Sequence, residues 1–393
     1  MSTPDNAELD AAKDYRYQQQ KNDKTTDDRR LRLEPAELDA AVAFIKQQYP
    51  DNDLPDLRQE ILDAMVSEVG LEDDPLSHSS LESYTREIEQ VISQLGISLR
   101  SGVSPGILHG DGLEAMQMPV MTTQASVVLM TSHLTTLIYR LAKLMARTVI
   151  IQPPTDGVSQ LVWDVDTVMP SMIADTELHQ DWRMFFLDCC KNPKAPDIGS
   201  PIVVSGEHKI HLIADLGEAM TWFVLAHEYG HHVHEHSLGG VAQVGGEAPA
   251  VAQAKEREAD TLGAIVCMTL GQTNQRGPNH CAKVNVGAVL ILSVLDFIKR
   301  GHQILLTGNE EGYQKDKLHP PLAERRAVIA DVTQKFIEFH CPNEQDMHDL
   351  FLKQQVKVAE LIDGIWSDAS DFLRDAYLKG ERGVADHQNW LPN

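Results

Sequence analysis

Residues 225–236 read LAHEYGHHVHEH, placing five histidines and two glutamates in twelve positions directly after an apolar run, AMTWFV. On a helix, His227 and His231 lie four apart and about 40° around the axis, so both imidazoles leave one face a turn apart. Two such nitrogens can hold a single tetrahedral zinc ion at about 2.0 Å. Glu228 lies between them, outside that pair of coordination sites but within reach of a water in the open position, whose pKa the ion lowers to about 7. A carboxylate there can take the water's proton and later deliver it to a leaving amine. The apolar run implies that the helix passes through a core, where an unpaired His-Glu-His cluster would be costly.

A third ligand is needed. In a metzincin it would follow a glycine at position 234 and be a histidine at 237, but this chain has His234 and Ser237, which excludes that class. His234 is some 10 Å further along the axis, too far for the same ion. His232 and His236 point elsewhere and are expected in solvent or behind the ligands. The stretch KEREADTLGA (255–264) offers Glu256 and Asp260 four apart on one helical face. One carboxylate can bind metal while the other hydrogen-bonds the far nitrogen of a ligand histidine. Glu258 faces about 200° away from Glu256 and is expected in solvent.

A third segment, HPPLAERRAVI (319–329), sets Pro320 and Pro321 at a helix start, where a missing donor costs nothing. His319 then stands at the helix mouth and can donate to a developing oxyanion. The alternative makes His319 a turn residue and Arg325 an ion-pair partner of Glu258 or Asp260.

Taken in order, HEYGH, EREAD and HPPLAER resemble the three signatures of the HtpX and CAAX prenyl protease family of gluzincin zinc metallopeptidases. The resemblance covers about residues 200–330. It implies a zincin-like core with one zinc ion per chain, held by His227, His231 and Glu256, and Glu228 as catalytic base. It also implies that Asp260 orients a ligand histidine and that His319 and Arg325 stand near the oxyanion and the active-site wall. Many members of that family are integral membrane proteins, whereas the longest apolar runs here (125–145 and 286–298) are too short or too interrupted to span a bilayer.

The elements that must position these groups follow from periodicity. Apolar residues recur at helical spacing from Pro35 to Leu99, and the sequence predicts helices over about 121–147, 176–190, 216–236, 248–270, 284–306, 321–339 and 344–378. Asp215 and Glu218 resemble a capping box, which starts the metal helix near Leu216. TVIIQ and QLVWDV read as strands, and PIVVSGEHKIHLIAD (201–215) as a hairpin or edge strand along which a peptide could lie. The fold class is α+β, mostly helical, with a small sheet packed on the HExxH helix. Composition divides the chain into a disordered arm (1–30), a helical accessory region (31–100), a linker (101–112) and a metallopeptidase domain (113–393).

With 34 basic against 58 acidic residues, the net charge of -24 argues against nucleic acid as a partner. The polar, acidic start lacks a signal-peptide pattern and the five cysteines lack framework spacing, so a cytoplasmic protein without stable membrane insertion is expected. The expected activity is hydrolysis of a peptide or protein substrate by a zinc endopeptidase. Residues 31–100 are expected to gate the cleft, recruit substrate or bind a regulatory partner. Two alternatives are a regulatory peptidase of the ImmA/IrrE type that cleaves one dedicated protein, and a non-catalytic zinc-stabilised scaffold.

Overall fold

A computed structural model describes residues 6–22, 35–48, 56, 58–59, 61–62, 75–100, 102–152, 160–197, 199–234, 248–273, 277–313, 318–340, 342 and 345–385. It is mostly helical with a small sheet. In chain order the elements are α1 (Asn6–Asn22), α2 (Pro35–Gln48), α3 (Pro75–Gln94), β1 (Val103–Leu108), β2 (Ala115–Pro119), β3 (Ser126–Thr131) and α4 (Ser132–Thr148). There follow the hairpin β4 (Ile150–Gln152) and β5 (Gln160–Val162), then α5 (Val165–Ala174), α6 (Thr176–Lys191) and α7 (Glu207–Val233). The remainder is helical: α8 (Pro249–Thr273), α9 (His280–Lys283), α10 (Val286–Thr307), α11 (Leu322–His340) and α12 (Gln345–Leu378).

The core is built around α7. From Trp222 to Gly230 every residue of this helix is buried, and a helix apolar on all sides must lie inside the molecule. The three-stranded sheet has the order β1-β3-β2, with β1 parallel and β2 antiparallel to the central β3. All of β3, SVVLMT, is buried because both its faces are covered. Val128 and Met130 point into the main core, and Val127 and Leu129 join Ala12, Val120 and Ala125 in a smaller cluster under α1. Strand β3 passes straight into α4 where the Thr131 hydroxyl accepts from the Leu134 amide, which splits the single helix predicted over 121–147.

Four sequence expectations are corrected. The arm expected to be disordered (1–30) contains α1, which buries Ala12, Arg16 and Gln20. Besides seating Ala12 in the smaller apolar cluster, it is held by polar groups that aliphatic content does not reveal. The Arg16 guanidinium donates to the Pro105 carbonyl, and the Gln20 amide donates to the Ile107 carbonyl at 2.9 Å. Four residues along a helix and two along a strand both advance about 6 Å, so the two donors match alternate carbonyls on the outer edge of β1.

The expected linker (101–112) contains β1. Its Gly106 serves close approach, since a Cβ there would lie 2.7 Å from the Arg16 Cδ. The accessory region (31–100) is not a separate body in its described part. Leu81, Ile88, Val91 and Ile92 of α3 join the same core as Trp222 and Tyr229. Finally, 201–215 forms no strand. Ile202 and Val204 are buried in an extended connector, Gly206 turns the chain at a φ of 94°, and α7 begins at Glu207 rather than near Leu216. Among the described residues, no helix is long and apolar enough to cross a membrane. Cys189, Cys190, Cys267 and Cys281 are buried free thiols, and Cys341 lies outside the described residues.

Candidate metal centre

Among the described residues, helices α7 and α8 form the most extensive element pairing. Small residues allow it. A Cβ on Gly230 would lie 2.6 Å from the Ala259 Cα, and one on Gly263 would lie 3.3 Å from the His227 amide nitrogen. With the backbones this close, Glu256 and Asp260, one turn apart on α8, both reach His227.

The result is a triangle of donor groups, two imidazoles and one carboxylate that turns a different oxygen to each. His227 Nε2 and His231 Nε2 are 3.2 Å apart, His231 Nε2 and Glu256 Oε1 are 3.4 Å apart, and His227 Nε2 and Glu256 Oε2 are 3.5 Å apart. Ligands bound tetrahedrally at about 2.0–2.1 Å stand about 3.3–3.4 Å from one another, and the two imidazole nitrogens and the carboxylate oxygen nearest to each of them have about that spacing. Two imidazole nitrogens and a carboxylate can hold a metal ion. This donor set is of a kind that suits zinc.

Asp260 stands behind the triangle, fully buried, with Oδ1 3.0 Å from His227 Nδ1. Burial works against its charge, but the Arg325 guanidinium and His227 outweigh it and bring the carboxyl down to about 2. An ionised carboxylate only accepts, so Nδ1 carries the hydrogen and Nε2 keeps its lone pair for the triangle. Glu256 is partly buried, which works against its charge, yet His231, His227 and Arg325 hold it down at about 2. His227 is disfavoured as an imidazolium by burial, but Asp260 outweighs this and the net displacement is upward. One guanidinium thus faces two ionised carboxylates, an environment that favours a further positive charge between them.

The structure brings His227, His231 and Glu256 together and sets Asp260 on His227. Glu228, 7% exposed, lines the same cavity as His227, Glu256, His319 and Arg325. His319 is exposed at the rim, its Nε2 3.8 Å from Glu256 Oε2. Arg325, which the resemblance groups with His319 near the oxyanion, commits Nε (2.7 Å) and Nη2 (2.5 Å) to the two oxygens of Asp260. The guanidinium therefore buttresses the histidine's partner. Glu258 is exposed, as expected, His234 is exposed as well, and His236 lies outside the described residues. His232 is fully buried, with Nδ1 2.8 Å from the Ser126 hydroxyl of β3, so of the two places expected for it, in solvent or behind the ligands, the first does not hold.

Sequence reasoning missed the clamp on the far side of α7. From α3, Glu87 accepts from Trp222 Nε1 at 3.1 Å and Glu89 from the Tyr229 hydroxyl at 2.8 Å. Arg100 donates to the His232 carbonyl at the C-terminal end of α7. The apolar stripe of α3 was visible in the sequence, but nothing local indicates what its acids face.

No protein-family model matches the chain, and neither a curated protein nor a solved structure matches it.

Proposed function

We propose that the chain is a zinc-dependent endopeptidase of the gluzincin type, similar to the HtpX and CAAX prenyl protease family, acting in the cytoplasm on a peptide or protein substrate. The observation that carries the reading is the donor triangle with Glu228 on the wall of the same cavity. A structural zinc site is closed by a fourth protein ligand and has no use for a carboxylate beside it. His227, His231 and Glu256 would hold the ion. When bound, it supplies Lewis acidity that polarises a carbonyl and lets water ionise near neutral pH.

The chain's own groups do the rest. Glu228 takes the proton from the attacking water and delivers it to the departing amine. His319 offers an N–H from the rim to the oxygen on which negative charge grows. Asp260 fixes the tautomer and direction of His227, and Arg325 holds Asp260 in place. Gly112, Glu114 and Ala115 line the cavity and lead into β2, an edge strand of the sheet. An extended peptide laid beside β2 would have its backbone at the triangle, a role the sequence had suggested for 201–215.

The test is Glu228→Gln. The side chain keeps its size, so zinc content should stay at one ion per chain while cleavage of an unfolded protein falls about 10²- to 10⁴-fold. Equal cleavage by the two proteins removes Glu228 as the base and with it the proposed mechanism.

A further inference from the structure

Tyr229 sits midway between the two ligand histidines in sequence and points about 160° around the axis of α7 from each of them. Trp222, two turns earlier, shares its face. Both side chains are buried, and α3 supplies an acid to each. Glu87 accepts from the Trp222 indole N–H at 3.1 Å and Glu89 from the Tyr229 hydroxyl at 2.8 Å. The two acids flank Ile88, which is fully buried, so α3 lays Ile88 on the core and reaches α7 on either side of it. Tyr84 adds an edge-on ring contact to Trp222, with 6.2 Å between centroids.

These contacts grip α7 at two points about 10 Å apart along its axis. Apolar packing tolerates a small roll of a helix, whereas a hydrogen bond fixes both length and direction. The roll is amplified at the ligands. Turning α7 by about 10° moves an atom about 6 Å from its axis by about 1 Å. Metal–ligand distances hold within about 0.2 Å. In front, Asp260 restrains the His227 ring itself at 3.0 Å, but the roll of the helix that carries both rings is set from behind. A leucine at 89 and a phenylalanine at 229 would pack there without taking a carboxylate out of water, so the acid is costly where it stands.

We infer that Glu89 and Tyr229 are positioning residues for the metal centre: the α3 acid, through the tyrosine hydroxyl, fixes the roll of α7 and with it the angle at which His227 and His231 meet Glu256. The inference rests on the reading of the triangle as a metal site and does not require hydrolysis.

The experiment compares the full-length parent with Tyr229→Phe, Glu89→Leu, Glu89→Gln and Val358→Ala, each checked for folding by circular dichroism. Zinc affinity is measured by competition with a chromophoric chelator, and the visible spectrum of the cobalt-loaded chains reads coordination geometry without reference to activity. Val358→Ala opens a cavity at a fully buried position of α12 and controls for lost stability alone. Tyr229→Phe and Glu89→Leu should weaken zinc binding about tenfold and alter the cobalt bands. Glu89→Gln, whose amide oxygen still accepts from the hydroxyl, should stay within about twofold of the parent, and Val358→Ala should match it. If Glu89→Leu does not fold, Tyr229→Phe, which removes a single oxygen, decides. Parental affinity and spectrum in Tyr229→Phe overturn the inference, and so does a loss in Val358→Ala as large as that in Tyr229→Phe. The expected effects in a parent that cleaves nothing remove the hydrolase and leave the positioning in place. A parent that binds no zinc overturns both.

Discussion

Gly230 of α7 faces Ala259 of α8 with no room between them: a Cβ added to the glycine would sit 2.6 Å from the alanine Cα. The donor triangle depends on that contact, because the reach of Glu256 and Asp260 is measured from an α8 backbone lying against α7. Gly230→Ala should force the helices apart at a cost of about 1–3 kcal/mol and should weaken zinc binding as well. Chemical unfolding and a chelator competition measure the two effects. A variant as stable and as tight as the parent would show that the helices can yield without moving the ligands.

Asp260 and Arg325 are expected to behave as a unit. Asp260→Asn should lower zinc affinity about 10- to 100-fold through the lost hold on His227. Arg325→Met leaves a buried carboxylate without its partner and should cost about 3–5 kcal/mol of stability. In the double variant the charge and its partner are both gone, so the loss should be smaller than the two single losses added. Strict additivity in a urea-unfolding cycle would show that the guanidinium does not support the carboxylate.

Zinc should act as a stabilising ligand. At a free concentration 100 times its Kd, an ion that binds only the folded chain raises the unfolding free energy by about 2.7 kcal/mol. The thermal midpoint should rise with added zinc, return on chelation, and cease to respond in Glu256→Ala. A midpoint in Glu256→Ala that still follows zinc would remove this residue from the ligand set.

Stability should also depend on Asp215. Burial, with help from Glu218, pushes its carboxyl from 3.8 up to about 6. A raised acid favours folding in its protonated form, so its contribution is complete below pH 3.8 and is lost as the pH rises through 6. Asp215→Asn, which cannot ionise, should therefore match the parent near pH 4 and exceed it by about 1 kcal/mol near pH 8, allowing for solvent screening of this partly exposed group. Melting curves across that range give the answer, and a constant difference would contradict it.

The candidate site was more legible in the sequence than its surroundings. His227 and His231 share a face by helical spacing alone, and Glu256 and Asp260 share another for the same reason, so each pair is a local property. Which partner each carboxylate takes, and that Arg325 closes on Asp260, depends on the crossing of α7 with α8 and α11, to which no local pattern refers. The α10 run VGAVLILSVLDFI was readable as a buried helix, but not which of its residues border the cavity. The arm at 6–22 was misread because burial was judged by aliphatic content, whereas α1 is held by Arg16 and Gln20. In 101–112, glycine and serine were taken as marks of flexibility, although Gly106 and Gly102 are small to admit Arg16 and Leu9.

Because Arg16 and Gln20 occupy the outer carbonyls of β1, the sheet is a one-sided template. A stray chain finds no row of acceptors there to pair with, which protects that margin from self-association. The opposite margin, β2, is the one that borders the histidines. An N-terminal helix far along the chain from the metal ligands thereby decides from which direction an extended polypeptide can join this molecule.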